Sequence, residues 1–376
     1  MARSPVLSIS RRVTYVTRPS LPPFEEFVDL LRPIWKSRIL TNAGPTVGRF
    51  ETALEAYTRA RNVEALANGT LALEIAAKIV FPTGATVITT PFTFPATTNA
   101  LLWLGMSPRF VDIDPETFNL DPKLVAAAMD RTVDGILSVH VFGNPAGSAE
   151  LAALGRGSGV GVLFDAAHAF GFRARRGCLL ERGDASTLSF HATKHFHSFE
   201  GGAIVSRRAS IARQVRLLRN FGILSEEKVA AAGINAKMTE VQAAMGLANL
   251  RHVDRWIRER RERFETYRSL LERSSQIQFQ RLESGQYNYP YMPILLPNRR
   301  VRDRVHGRLY QHRIRARKYF FPLTSSLPYT RSYVRGRLPV AERVAGGILT
   351  LPLYADLSMD EVHRIASCVR VALRDS

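Results

Sequence analysis

Short apolar or β-branched runs alternate with segments of helical periodicity through the first two-thirds of the chain. Strands are predicted at Thr86–Thr90, Arg109–Asp112, Gly135–His140, Val160–Phe164, Thr187–Phe190 and Ala203–Val205. Helices are predicted at Thr70–Val80, Pro95–Leu104, Leu124–Met129 and, briefly, Leu151–Leu154. This alternation is typical of an α/β protein whose mainly parallel sheet is covered on both faces. Two of the strands leave no room for a helix between them, which allows one antiparallel pair.

The pattern changes near Leu250. Helices are predicted at Thr239–Leu250, Val253–Ser274, Val301–Tyr310 and Ser358–Leu373, and extended segments at Tyr287–Leu296 and Ile348–Leu353. We therefore predict a flexible tail over residues 1–12 and a large domain over residues 13–250. A linking helix and a smaller α+β domain follow over residues 251–376.

The composition is that of a globular protein, with 45% apolar and 23% charged residues. No apolar run approaches the length of a membrane span, and Met1–Arg12 lacks the apolar block of a signal peptide. The two cysteines, Cys178 and Cys368, are too few for a disulfide framework. We expect a cytoplasmic protein without a membrane partner.

The net charge of +19 comes from 52 basic and 33 acidic residues, and only seven of the basic residues are lysines. Such a charge can serve a nucleic acid or another anion. The arginines are spread along the chain and mixed with glutamates, and no nucleic-acid-reading motif is present. We therefore favour solvated surfaces over nucleic-acid binding.

Four candidate groups follow strands or begin a helix. They are Asp165, Lys194, the Asn68-Gly69-Thr70 turn and Phe94. Ligands of open α/β sheets bind beyond the carboxyl ends of the strands, so these groups can converge. Each suits a pyridoxal phosphate site: an amine for a Schiff base, a carboxylate for the pyridine nitrogen, a helix start for the phosphate and an aromatic ring to stack.

Each group also has an ordinary structural explanation. A loop lysine is usually a solvated charge, and an aspartate at a strand end is often a turn residue. Asn-Gly-Thr commonly begins a helix, and a phenylalanine is most often in the core. From these residues alone, a phosphate-bearing cofactor and purely structural roles both stay open.

A resemblance covers residues 16–371. Its motifs are Thr41-Asn-Ala-Gly-Pro45, Asn68-Gly-Thr-Leu-Ala-Leu73, Pro91-Phe-Thr-Phe-Pro-Ala-Thr97, Val139-His-Val-Phe-Gly143, Asp165-Ala-Ala-His168, Ser189-Phe-His-Ala-Thr-Lys194, Glu200-Gly-Gly202 and Gly233-Ile-Asn-Ala-Lys-Met-Thr-Glu240. Together they resemble the DegT/DnrJ/StrS family of sugar aminotransferases. The resemblance implies fold-type I architecture with a seven-stranded sheet.

The resemblance also implies the role of each site residue. Lys194 would be the Schiff-base lysine and proton shuttle, Asp165 would pair with the pyridinium nitrogen, and His168 would bond or flank the ring oxygen. The remaining assignments are Gly69, Thr70 and Ser189 to the phosphate, Phe94 to the ring face, Asn235 to the phosphate of the neighbouring subunit's cofactor, and Tyr319 to the sugar. This arrangement implies a homodimer with shared active sites.

His191, His195 and His197 have the spacing of a possible metal cluster. The resemblance argues against a metal, and no nearby cysteine or second carboxylate completes a ligand set. We therefore expect no metal in the site.

The block Arg317–Pro322 and Glu-Gly-Gly after the lysine resemble enzymes that aminate carbon 4 of a sugar. They imply transfer from L-glutamate, through pyridoxamine 5'-phosphate, to dTDP-4-keto-6-deoxyglucose, with a product for O-antigen or other glycans. Amination at carbon 3 or of a GDP or UDP sugar is the alternative. A dehydrating relative, which would have histidine at position 194, and a non-enzymatic regulator that binds nucleic acid are less favoured. Phe199, Ala236 and Lys237 depart from the family pattern and weaken the substrate assignment.

Overall fold

The computed structural model describes residues 13–374, and the predicted tail over residues 1–12 lies outside this range. The strands are β1 (Thr14–Tyr15), β2 (Val63–Leu66), β3 (Thr86–Thr89), β4 (Ser107–Phe110), β5 (Gly135–Val139), β6 (Gly161–Asp165), β7 (Arg173–Ala174), β8 (Ala185–Ser189), β9 (Gly202–Val205), β10 (Ile223–Ser225), β11 (Lys228–Val229), β12 (Gly285–Gln286), β13 (Met292–Leu295), β14 (Ile314–Arg315) and β15 (Ile348–Leu351). The helices are α1 (Phe24–Ser37), α2 (Pro45–Thr58), α3 (Gly69–Val80), α4 (Pro95–Trp103), α5 (Pro122–Ala128), α6 (Ser148–Ser158), α7 (Ala209–Leu218), α8 (Glu240–Leu250), α9 (Val253–Leu271), α10 (Arg299–Gln311), α11 (Pro339–Gly347) and α12 (Met359–Arg374).

A seven-stranded sheet forms the centre of the molecule, in the order β2-β9-β8-β6-β5-β3-β4. The pairs among β4, β3, β5, β6 and β8 are parallel, whereas β9 runs antiparallel to both β8 and β2. The predicted α/β class, the mainly parallel sheet and the antiparallel pair are confirmed. Parallel pairing brings the carboxyl ends of β3, β5, β6 and β8 to one edge.

Helices cover both faces of the sheet because neighbouring strand residues point in opposite directions. Leu137 and Leu163 pack in one cluster with the apolar side of α3. Ile136 and Val162, one residue earlier on the same strands, pack in another cluster with Leu151 of α6. Burial on both faces explains why these strands are continuously apolar in sequence.

The predicted bounds of the edge strand β4 were wrong, because the strand covers Ser107–Phe110 rather than Arg109–Asp112. Asp112 lies outside the strand, where its carboxylate accepts hydrogen bonds from the N–H groups of Val340 and Ala341 at 2.9 and 2.8 Å. It therefore caps the start of α11. Pro108 is tolerated within β4 because an edge strand has one side without partners.

The C-terminal part is built around the antiparallel pair β13–β15, with α10 packed on α12 and α12 on α9. The first described strand joins it: β1 pairs in parallel with β14, and Leu353 donates its N–H to the carbonyl of Val16 at 3.1 Å. The domain division near Leu250 stays a prediction. None of the helices in residues 13–374 combines the length and apolar composition that a membrane span needs.

Candidate active site

A cavity of ≈ 630 Å³ lies beyond the carboxyl ends of β3, β5, β6 and β8. Its lining includes every predicted site residue except Asn235: Gly69, Thr70, Phe94, Asp165, His168, Ser189, Lys194 and Tyr319. Other lining residues are Asn68, Thr93, His191, Glu200, Arg317 and Phe320. The sheet edge therefore brings together segments that are distant in sequence, from Asn68 to Phe320.

The start of α3 forms one wall of the cavity. Asn68 caps the helix, since its side-chain oxygen accepts the N–H of Leu71 at 2.9 Å. A Cβ atom on Gly69 would lie 2.8 Å from the Cβ of Ser189, at the end of β8. Glycine therefore lets the helix begin directly against Ser189. The first N–H groups of a helix have no partner within it, so this wall suits an anion such as a phosphate.

Asp165 ends β6 and is buried at the base of the cavity. One carboxylate oxygen accepts the hydroxyl hydrogen of Thr97 at 2.8 Å, and the other accepts the N–H of Ala167 at 3.0 Å. Burial raises the pKa of Asp165, while these hydrogen bonds and the charge of Lys194 oppose that rise. The carboxylate is thus held in place by the protein with lone pairs left for a ligand.

Lys194 lies in a turn closed by its own N–H, which donates to the carbonyl of His191 at 2.9 Å. Burial lowers the pKa of its amine, and the neighbouring Tyr319 and Asp165 partly offset the effect. A lower pKa makes the neutral amine, which is a nucleophile and a proton acceptor, easier to reach. The surroundings of Lys194 therefore differ from those of a solvated surface lysine.

His168 lies within a stack of aromatic rings. Its ring is parallel to Phe320 at 5.9 Å between centroids, and Tyr291 approaches edge-on at 4.8 Å. Burial lowers the pKa of His168 well below its ordinary value, so the imidazole is neutral. Its Nδ1 is buried and has no hydrogen-bond partner within residues 13–374. His168 therefore lines the cavity with other parts of its ring than Nδ1.

Two aromatic side chains border the open side of the cavity. Phe94, just before α4, is 52% exposed. Tyr319 is half-buried, and the guanidinium of Arg317 lies 4.6 Å above its ring. An aromatic face and an arginine at the opening suit a flat ligand with an anionic group.

Asn235 is exposed and lies outside this cavity, in a bridge with Asn220. The three histidines of the possible metal cluster have separate partners. His191 approaches Glu200 at 3.4 Å, His195 bonds the carbonyl of Phe170 at 2.8 Å, and His197 bonds the carbonyl of Ser20 at 2.9 Å.

Comparison with known proteins identifies the family of this chain. Residues 24–370 match the model of the DegT/DnrJ/EryC1/StrS aminotransferase family. The chain belongs to this family. It is 38% identical to the dTDP-4-amino-4,6-dideoxy-D-glucose transaminase of Shigella dysenteriae, over 95% of this chain and 98% of that protein. The enzyme of the same name from Escherichia coli is 37% identical, over 93% and 96%.

The fold agrees with this aminotransferase family. The crystal structure of DesI in the presence of its TDP-sugar product superposes with a TM-score of 0.91 and 33% identity. The superposition covers 98% of this chain and 95% of DesI. The predicted family and the fold-type I class are therefore confirmed.

The cofactor of this aminotransferase is pyridoxal 5'-phosphate, and the cavity fits it. Gly69 and Gly202 both make close contacts at the start of α3, the cavity wall that suits a phosphate and is called the phosphate wall below. A Cβ on Gly202 would lie 2.5 Å from the carbonyl oxygen of Asn68. The cavity also offers the half-buried amine of Lys194, the fixed carboxylate of Asp165 and the ring of His168.

Sequence reasoning did not assign several residues of the site. Thr97 lies within a motif quoted for the resemblance, but only the hydrogen bond to Asp165 reveals its contact. Thr93, Phe320 and Arg317 likewise gain their places from tertiary contacts. Thr93 follows the same strand as Phe94, and Arg317 and Phe320 lie in the block Arg317–Pro322, but the sequence alone assigned none of the three a role of its own.

Proposed function

We propose that this aminotransferase transfers the amino group of L-glutamate to the 4-keto group of dTDP-4-keto-6-deoxyglucose. The product is the 4-amino-4,6-dideoxy sugar. The observation that carries the proposal is the near full-length similarity to a dTDP-4-amino-4,6-dideoxy-D-glucose transaminase, at 38% identity. The cavity supports it because it joins a lysine, a fixed carboxylate and an anion-binding helix start.

Pyridoxal phosphate, when bound, supplies an electron sink for the pair of electrons that a departing proton leaves on the substrate carbon. Lys194 would hold the cofactor and then move that proton at its Nζ atom. Asp165 would keep the pyridine nitrogen protonated, and Gly69, Thr70 and Ser189 would bind the phosphate. His168 would bond or flank the ring oxygen, and Phe94 would cover the ring face.

The substrate end of the site is basic and aromatic. Arg317 and Tyr319 border the opening, and the chain as a whole carries a net charge of +19. A nucleotide diphosphate is anionic, and a guanidinium suits phosphate oxygens. We therefore place the sugar near Tyr319, with the diphosphate within reach of Arg317.

We further propose a homodimer with shared active sites. Five apolar side chains with exposed fractions of 38–54% form an apolar rim: Leu40, Phe199, Phe221, Ile234 and Val241. Hydrogen bonds link the segments that carry them, from Glu240 N–H to the carbonyl of Leu40 at 3.0 Å and from Phe221 N–H to the carbonyl of Ile234 at 3.1 Å. Asn235 belongs to the same surface, where a second copy would bring it to the partner's phosphate.

We place the enzyme in the cytoplasm, in line with two cysteines that are both free thiols, and its product in O-antigen or lipopolysaccharide synthesis.

Absorbance spectroscopy tests the cofactor and the donor together. The purified protein should show a visible band from the lysine-bound cofactor, which shifts to the near-ultraviolet when L-glutamate is added. The aminated form should then return to the visible form with dTDP-4-keto-6-deoxyglucose. Return with a 3-keto sugar, or with a GDP or UDP sugar in preference, would contradict the substrate assignment.

Replacing Lys194 with alanine should remove the visible band and lower turnover by at least about a thousandfold, since the proton shuttle is lost. Lys78→Ala is the matched control, because Lys78 is exposed on α3 and does not line the cavity. Turnover that survives in the Lys194 variant would contradict the mechanism.

A further inference from the structure

Two buried hydroxyl groups stand in line behind the carboxylate of Asp165. The hydroxyl of Thr97 donates to the Oδ2 atom of Asp165 at 2.8 Å. The hydroxyl oxygens of Thr93 and Thr97 are 2.7 Å apart. Both threonines are almost fully buried, with exposed fractions of 1% and 0%.

The chemistry of the three groups fixes the direction of the hydrogen bonds that join them. An ionised carboxylate only accepts hydrogen bonds, and a hydroxyl has one hydrogen to donate. The hydrogen of Thr97 is used by Asp165, so the bond between the two threonines must use the hydrogen of Thr93. The order of donation is Thr93 to Thr97 to Asp165. Each donation polarises the next group, which strengthens the bond to the carboxylate.

The position of Thr97 makes it a support rather than a cavity residue. It lies on α4 and is absent from the cavity lining, while Asp165 and Thr93 belong to that lining. The other oxygen of Asp165 accepts the N–H of Ala167 at 3.0 Å. The carboxylate is therefore held from two sides, by α4 and by the loop after β6.

The electrostatic surroundings give the hydrogen bond its importance. Burial favours the neutral form of Asp165 and raises its pKa, whereas Thr97, Ala167 and the charge of Lys194 favour the ionised form. Among the other titratable groups that line the cavity, His168 is neutral because burial lowers its pKa well below the ordinary value. Thr97 is thus a main contributor to the ionised state.

We propose that Thr97, supported by Thr93, is a positioning residue that keeps the Asp165 carboxylate ionised and aimed at the pyridine nitrogen of the cofactor. The inference rests on the role given to Asp165 in the proposed function. Thr97 lies behind Asp165 and outside the cavity lining, and Thr93 acts on Asp165 through Thr97.

The chain offers a matched set of variants for the test. Thr97→Val removes the hydroxyl with little change of volume, and Thr97→Ser keeps it. Thr98→Val is the control, since Thr98 is equally buried on the same helix and its hydroxyl has no hydrogen-bond partner within the described range. Thr93→Val removes only the first donor, and Asp165→Asn serves as the reference for loss of the carboxylate.

The first measurement is cofactor retention, followed as visible absorbance during dialysis of each holoenzyme and its recovery with added pyridoxal phosphate. Loss of one hydrogen bond to a charged group should raise the concentration for half-recovery about ten- to a hundredfold in the Thr97→Val variant. Thr93→Val should give a smaller increase in the same direction. Thr97→Ser and Thr98→Val should stay within about twofold of the original protein.

The second measurement is the pH profile of kcat/KM. The carboxylate acts as an anion, so activity falls as the pH decreases through its pKa. Without the Thr97 donor that pKa rises, so the acidic limb of the profile should move to higher pH in the Thr97→Val variant, less far in Thr93→Val, and not in Thr97→Ser or Thr98→Val. A purely structural role for Thr97 would lower thermal stability without moving this limb.

The outcomes distinguish an error in the role of Thr97 from an error in the assignment of Asp165. If Asp165→Asn weakens the cofactor but Thr97→Val behaves like Thr98→Val in both measurements, the role of Thr97 is wrong and the proposed function stands. If Asp165→Asn itself retains the cofactor and full turnover, the assignment of Asp165 is wrong, and the role of Thr97 is wrong with it.

Discussion

Single residues in this aminotransferase are often fixed by one close contact. Gly202, the last residue of the Glu-Gly-Gly motif, begins β9 opposite Leu66. A side chain there would approach the carbonyl oxygen of Asn68 at 2.5 Å and the nitrogen of Gly69 at 2.8 Å. Both neighbours are backbone atoms at the start of α3, which cannot rotate away. The motif therefore has a steric reason that is independent of the substrate.

Replacing Gly202 with alanine should weaken both folding and cofactor binding. We expect a loss of about 1–3 kcal/mol in the free energy of unfolding, because the start of α3 must shift. The same shift should disturb the phosphate wall and raise the concentration of cofactor needed for half-saturation. Denaturant unfolding and cofactor titration measure the two effects.

Gly157→Ala provides the control, since Gly157 lies in α6 with open space around its Cβ position. Its helical backbone should make that change stabilising by about 0.5–1 kcal/mol. Equal behaviour of the two alanine variants would contradict the steric argument.

At the scale of elements, a buried carboxylate joins two helices that are distant in sequence. Glu240, at the start of α8, accepts the N–H groups of Thr46 and Val47 at 2.8 and 2.9 Å. These are unpaired N–H groups of the first turn of α2, whose cap residue Gly44 has no side chain to bond them. The side chain of Glu240, which ends the motif Gly233–Glu240, thus contacts the residues that directly follow the motif Thr41–Pro45.

Glu240→Ala should destabilise the protein by about 2–5 kcal/mol, because two buried N–H groups lose their acceptor. The free energy of unfolding from urea titration measures this loss. Glu150→Ala is the control, since Glu150 is exposed in the first turn of α6. A difference under about 0.5 kcal/mol between the two variants would show that water replaces the cap without cost.

At the scale of the whole molecule, the apolar rim exposes apolar side chains to water, which is unfavourable. Its segments adjoin the cavity, because Ala67 donates its N–H to the carbonyl of Ala236 at 2.9 Å, directly before Asn68. A second copy bound there would bury the rim and approach the phosphate wall. Association and catalysis should therefore be coupled.

Val241→Glu should shift the protein from dimer to monomer, since it places a charge in an apolar contact. We expect the dimer dissociation constant to rise at least about tenfold, measured by analytical ultracentrifugation. Cofactor affinity should fall in parallel, because Asn235 of the second copy is lost. Leu124→Glu is the control, as Leu124 is 41% exposed on α5, away from the rim. A Val241→Glu variant that remains a dimer would place the interface elsewhere.

The sequence predicted most of the central sheet because its strands are short, apolar and separated by periodic helices. A predicted strand boundary was wrong where a side chain makes a tertiary contact. Asp112 caps α11 instead of extending β4. The helices α1, α2, α7 and α11 and the strand β2 were not predicted. Strand β2 has a buried glutamate, Glu64, in place of an apolar residue, and such a pattern does not indicate a strand.

The sequence by itself determined the α/β class, through its alternating strands and helices, and it determined the family and the cofactor through the resemblance of its motifs. It also supplied Lys194 and Asp165 as candidates. Only the tertiary structure decided what surrounds them: the hydroxyls of Thr97 and Thr93, the ring stack at His168 and the contact of Glu240 with α2. Burial and hydrogen bonding depend on neighbours that are distant in the chain, and the local pattern of residues does not show which neighbours these are.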